Sequence, residues 1–193
     1  MSKRYLSADE LLMSSYSLAA KVLNDGFLPD FIVAVWRGGT PIGIAVQEFM
    51  EYCGVKTDHI AIRTTSYHGV EARNKEVSVV NMGYLLEHIE AHHKLLIVDD
   101  VFDSGNTIVA ILNELRNKAK RNAPEQIRVA TPFFKPTKNQ TDIVPDYFIE
   151  ELDSWIVFPH SLVGLSPADI AAKDKNITEL LNQTQQIVKQ KED

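Results

Sequence analysis

Three carboxylates, a glycine and two hydroxyls crowd one short stretch of this chain: Asp99, Asp100, Asp103, Ser104, Gly105 and Thr107. Residues of these types suit two neighbouring tasks. The run Ser104-Gly105-Asn106-Thr107 precedes a periodic apolar segment, so its backbone N–H groups can converge at a helix N-terminus, where partial positive charge receives an anion. Gly105 permits a tight or left-handed backbone, and the hydroxyls of Ser104 and Thr107 add donors for phosphate oxygens. The acids would repel that phosphate unless they hold hydroxyls or a cation; a ribose diol and a magnesium ion answer both demands. The plain alternative is a solvated strand end with Ser104 as an ordinary helix cap. Neither a Walker A ending nor a G-x-G-x-x-G after an apolar strand occurs in the chain.

These groups need elements to hold them. Residues 95–98, LLIV, form a continuous apolar run that predicts an inner strand of a parallel sheet, with Asp99 and Asp100 at its carboxyl end, where open α/β sheets bind ligands. Residues 31–35 predict a second such strand, ending at Trp36-Arg37-Gly38-Gly39-Thr40, after which Pro41 suits the first helical position and residues 42–50 form the helix. Adjacent glycines allow a backbone close enough to donate N–H groups to a diphosphate, with Arg37 adding charge. The same letters also fit a plain glycine turn beside a surface arginine.

Strands are expected at residues 55–63, 77–80, 127–131 and 146–150; a helix follows the capping box Ser7-Ala8-Asp9-Glu10, with Leu12, Tyr16, Ala19 and Leu23 at helical spacing up to Asn24-Asp25-Gly26, and another spans 108–118. Residues 64–76, containing Ser66, Tyr67 and Arg73, read by themselves as a solvated hairpin loop. Lys135 closes an apolar run, where its ammonium could donate to a ligand oxygen or snorkel at the surface. Trp155 alone reads as an ordinary core residue. His88 and His92 have helical metal spacing without a third ligand near in sequence, and no zinc is assigned.

With 193 residues the chain fits one domain, residues 1–193, with a helical tail from about 166 to 193. Its net charge of -6 argues against a nucleic-acid or anionic-membrane footprint, so a polyanionic substrate needs local basic groups and metal. Cys53 is the only cysteine. It is expected to be buried and inert, and a reducing cytoplasm is the matching compartment.

The order apolar strand, paired acids, two variable residues, third acid, small-residue loop resembles the signature of type I phosphoribosyltransferases, and Phe134-Lys135-Pro136 resembles the bacterial purine branch. The resemblance spans residues 31–159. It implies an α/β fold, a mostly parallel sheet flanked by helices with a small hood from the terminal strand segments. It implies transfer of the phosphoribosyl group of phosphoribosyl pyrophosphate to hypoxanthine, guanine or xanthine, in purine salvage, with Mg2+ as cofactor and a dimer or tetramer as assembly. On this resemblance Asp99 and Asp100 hold the ribose and the metal, Ser104 to Thr107 hold the 5-phosphate, and Arg37 and Gly38 hold pyrophosphate. Ser66 and Tyr67, with Arg73, sit in a closing lid. Asp103 faces the purine's position-7 nitrogen as the catalytic acid-base group. Lys135 donates to the oxygen at position 6, Trp155 stacks on the ring, and the Ile156 carbonyl reads position 2. The resembling enzymes usually carry an acidic residue shortly after this segment, where the present chain has His160-Ser161, a departure at a second metal contact. Two other readings share the pocket: a transferase for another base, and a non-enzymatic regulator that senses phosphoribosyl pyrophosphate.

Overall fold

The computed structural model describes residues 3–66 and 77–189. It divides into two compact units, residues 9–153 and a smaller unit made of residues 1–8 with 154–193.

In the larger unit, helix α1 (Ala8–Asn24) precedes strand β2 (Phe31–Trp36), helix α2 (Gly39–Tyr52), strands β3 (Asp58–Ser66) and β4 (Val77–Val80), and helix α3 (Gly83–His88). Then come β5 (Lys94–Val98), β6 (Val101–Phe102), α4 (Asn106–Ala119), β7 (Gln126–Phe134) and β8 (Tyr147–Glu151). Among the described residues the sheet runs β4-β3-β2-β5-β7, with β6 and β8 also paired to β7. All pairings are parallel except β3 with β4. The inner strands are apolar throughout because both faces are covered: Phe31, Val33, Val35, Leu95 and Ile97 join Ile108, Ile111 and Leu115 of α4 in one buried cluster. On the other face α2 lies against β2. It comes so close at Gly43 that a side chain there would stand 2.6 Å from the Ala34 methyl.

β5 and β6 are two pieces of one strand. Val98 lies opposite Ala130 and Val101 opposite Phe133, so the register on β7 is unbroken across Asp99 and Asp100. That register sets Pro132, which has no N–H, opposite Asp100. The ladder therefore opens where the acids stand.

Several boundaries differ from the sequence reading. β3 begins at Asp58 rather than 55, because residues 53–57 form the exit from α2. β7 runs on to Phe134 because the β6 and β8 edges pair with its far end. Cys53 is exposed, not buried: it caps the C-terminus of α2, where the chain turns outward. His88 stacks on Tyr84 and His93 packs edge-on against Phe31, which accounts for these rings as packing groups. Among the described residues no helix is long and apolar enough to cross a membrane.

The smaller unit pairs β1 (Lys3–Tyr5) with β9 (Trp155–Val157) in parallel, followed by α5 (Pro167–Lys173) and α6 (Lys175–Lys189). This is the small two-strand element expected from the chain ends. Asp169 ties it together. Its Oδ1 accepts from Lys3 Nζ at 2.6 Å and Tyr5 Oη at 2.8 Å, and its Oδ2 accepts from the Ser166 hydroxyl at 2.6 Å in a capping box. The Lys3 ammonium first, then the Ser166 and Tyr5 hydroxyls, hold this carboxyl below the usual carboxylate range. A carboxyl depressed on folding stabilises above its unfolded pKa of about 3.9, and the contribution is lost as pH falls below that value. Asp169→Asn should therefore melt lower than the parent at pH 7, and the gap should close as pH drops below about 4. Thermal unfolding across that range checks this; a gap of constant size down to pH 3 would exclude a titrating Asp169.

Candidate active site

Because β2, β5 and β7 run in one direction, their carboxyl ends share an edge of the sheet. Three groups meet there from distant parts of the chain. The first is the Arg37-Gly38-Gly39 loop after β2; the Trp36–Arg37 peptide bond is cis, and Arg37 is exposed. The second is the acid pair in the β5–β6 opening. A side chain on Gly38 would fall on the Asp100 carboxylate, and one on Gly39 would stand 2.6 Å from the Val98 carbonyl oxygen and 2.8 Å from the Asp99 Cα. The two loops are thus in backbone contact, and only glycine fits between them.

The acids are poised rather than satisfied. Asp99 donates its N–H to the Ala130 carbonyl at 3.2 Å, and its Oδ1 accepts the Asp100 N–H at 2.9 Å. Burial, then the Asp100 charge, push the Asp99 carboxyl well above the usual range. Burial also raises Asp100, against hydrogen bonds from Asp99 and the backbone and the charge of Lys135. Two hard oxygen donors whose negative charge lacks full compensation suit a cation or a diol. Among the described residues no cluster of three or more metal-binding side chains exists. A pair of carboxylates is a donor set that fits Mg2+, which is commonly held by one or two carboxylates with the remaining ligands from water and substrate phosphates.

The third group is the turn from Asp103 into α4. Gly105 takes φ +79° at the N-cap, the left-handed conformation anticipated for it, and no side chain caps the helix in the usual way. Ser104 Oγ accepts the Asn106 N–H at a long 3.4 Å. The first N–H groups of a helix have no partners within it, so this turn presents donors to an anion. Lys135, immediately past β7, is 8% exposed and sends Nζ to Asp103 Oδ2 at 3.1 Å, while its own N–H donates to the Phe102 carbonyl at 2.9 Å.

Arg37, Gly38, Asp99, Asp100, Asp103, Ser104, Gly105 and Lys135 accordingly all belong to the larger unit and to its β-strand ends or adjoining loops, and Asn106 and Thr107 open α4 beside them. Ser66 is the last residue of β3, and Tyr67 and Arg73 lie outside the described residues. Trp155 and Ile156 belong to the smaller unit, on β9, the first 54% exposed and the second buried. The sequence reading took Gly39 only as one of two adjacent glycines in the loop; its closeness to Asp99 is revealed by the fold. The same reading passed over Gln140 and Thr141, which lie against the turn into α4, and Asn139, which holds Thr141. Asn139, a side chain prone to close turns onto its own backbone, was the available signal.

The family model described as phosphoribosyl transferase domain matches residues 1–163. The chain is 27% identical over 143 residues, 73% of each protein, to the hypoxanthine-guanine phosphoribosyltransferase of Streptococcus mutans serotype c. It is 30% identical over 106 residues, 54% of each protein, to the bifunctional protein PyrR of Corynebacterium diphtheriae. Its fold is similar to that of the purine phosphoribosyltransferase of Pyrococcus horikoshii Ot3, with TM-score 0.67 and 24% identity over 86% of this chain and 98% of that one.

The geometry at Gly105 yields a direct expectation. A Cβ there would press on Thr141 Oγ1 and stand 3.0 Å from the Phe102 ring, on a backbone that side chains rarely adopt. Gly105→Val should fold but lose binding of phosphoribosyl pyrophosphate in titration calorimetry by more than tenfold, because the donors turn away. Parent-like affinity would place the phosphate elsewhere.

Proposed function

Because the chain belongs to the phosphoribosyl transferase domain family, on the purine branch of its type I members, we propose that it is an enzyme joining a 6-oxopurine to phosphoribosyl pyrophosphate. Hypoxanthine, guanine and xanthine are the candidate bases, and the products are the nucleoside 5-monophosphate and pyrophosphate. The observation that carries this reading is the meeting of the Gly38-Gly39 backbone with the Asp99-Asp100 pair, beside an Asp103–Lys135 ion pair at the next strand end. A diphosphate, a sugar diol and an oxygenated base each have their chemical counterpart there.

The reaction breaks the bond between the anomeric carbon and the pyrophosphate oxygen, and the electron pair leaves with pyrophosphate. The Gly38 backbone and Arg37 take up the departing charge, the Ser104 to Thr107 turn anchors the 5-phosphate, and Asp99 and Asp100 hold the ribose hydroxyls. Mg2+ bound by these two acids would supply charge neutralisation at the leaving group. A purine ring nitrogen attacks the anomeric carbon, and Asp103 takes the proton released from the base. Lys135 has three N–H donors. One is engaged by Asp103, which leaves others for an oxygen at position 6. Ser66, Tyr67 and Arg73 are proposed as the covering lid, and Trp155 and Ile156 as the ring-stacking and position-2 contacts. A cytoplasmic setting and a homodimer or homotetramer belong to the same proposal.

A second reading is a non-enzymatic regulator that binds phosphoribosyl pyrophosphate together with nucleic acid; the likeness over 54% of the chain to a relative named as a bifunctional protein, PyrR, keeps it in view. The net charge of -6 weighs against it. Assaying pyrophosphate release with a panel of purines and pyrimidines separates the readings: release with 6-oxopurines supports the transferase, release with other bases reassigns its substrate, and no release with any base favours the regulator.

Asp103→Asn should lower turnover by roughly 100- to 10,000-fold while phosphoribosyl pyrophosphate still binds; parent-like turnover would remove the acid-base role. For base choice, an ammonium matches a position-6 carbonyl but meets the amino group of adenine donor to donor. The parent should prefer hypoxanthine over adenine by about 10,000-fold in kcat/KM, and Lys135→Gln, which offers donor and acceptor, should narrow that ratio. Equal use of adenine by the parent would withdraw the 6-oxopurine assignment.

A further inference from the structure

The connection between β7 and β8 does more than join strands. Two of its residues lie along the turn into α4, and a third holds one of them. The Gln140 N–H donates to the Ser104 carbonyl at 3.0 Å, and Gln140 Oε1 accepts from Asn106 Nδ2 at 3.4 Å. Between them, Thr141 Oγ1 occupies the space into which a Gly105 side chain would project. Thr141 is itself held. Its hydroxyl donates to Asn139 Oδ1 at 2.9 Å, its N–H donates to the same oxygen at 3.0 Å, and Asn139 Nδ2 donates to the Ile143 carbonyl at 2.8 Å.

We propose that Thr141, held by Asn139, is a positioning residue that keeps Gly105 in its left-handed conformation and so aims the α4 N-terminal donors at the 5-phosphate. The physical need is plain. Gly105 is buried but has the widest conformational freedom of any residue, and no side chain caps the helix behind it. Two groups stand closest to the space beside it, the Phe102 ring from the preceding strand and the Thr141 hydroxyl oxygen, and the second comes from outside that segment. The same connection begins at Lys135, whose N–H and Nζ bind Phe102 and Asp103. One segment therefore sets both the base-facing lysine and the phosphate turn, at its two ends. A displacement of the order of 1 Å at a binding group is enough to cost large factors in a charged contact.

This inference rests on the reading of the α4 turn as the 5-phosphate site. Inosine 5-monophosphate and inosine differ only in that phosphate, so their affinity ratio, measured by calorimetry, isolates it. The parent should bind the monophosphate far more tightly than the nucleoside. Thr141→Ala should shrink that ratio about tenfold with inosine affinity unchanged, and Thr141→Ser, which keeps the hydroxyl, should retain the parent ratio. An unchanged ratio in Thr141→Ala, an equal loss in the serine variant, or a proportional loss for both ligands would overturn the positioning role alone. A parent ratio near one would overturn the phosphate-site reading itself, and the role of Thr141 with it.

Discussion

The site depends on a contact that leaves no room for side chains. Gly38 and Gly39 lie against the Asp100 carboxylate and the backbone of residues 98 and 99. Two loops from separate strands are thereby brought into direct contact, glycine backbone on one side and carboxylates on the other. The contact is possible because α2 approaches β2 at Gly43 over Ala34, drawing the helix start down onto the strand end. Small residues in the body of the helix thus govern how closely its leading loop reaches the acids.

Electrostatics completes what packing begins. Two partly buried carboxylates side by side are costly unless neutralised, and in the free protein Lys135 supplies only part of the compensation. A ligand that brings hydroxyls and a divalent cation relieves this strain, whereas one bringing phosphate alone would add to it. Lys135 acts on two of the three acids. Its charge steadies Asp100, and its hydrogen bond orients Asp103. The small unit uses the opposite device, with Asp169 fully engaged by Lys3, Tyr5 and Ser166, and there the carboxyl is stabilised as the anion.

Local chemistry was readable from the chain wherever one segment carried its own reason. The apolar runs of β2 and β5, the left-handed Gly105 and the start of α4 follow from residue type and spacing. What escaped were features set by distant partners. β6 has only two residues and exists because β7 extends past Pro132 to receive it. β3 starts late and Cys53 faces outward because the exit from α2 bends away from the core, which a local apolar count does not register. Asn139, Gln140 and Thr141 look like any polar loop until the fold lays them beside residues 104–106.

The unbroken register of β5 and β6 on β7 has a bearing on how such a chain can vary. Between Val98 and Val101 the strand can exchange side chains but not residues. Removing or adding one there would move Val101 and Phe102 by one position on β7 and turn each toward the opposite face. Phe102, now 2% exposed, would leave the core, and the turn that begins at Asp103 would start from the wrong side of the sheet. The distance in sequence between Asp99-Asp100 and the turn into α4 is therefore fixed by strand pairing, and lineages of this chain should tolerate changes of residue there far more readily than changes of length.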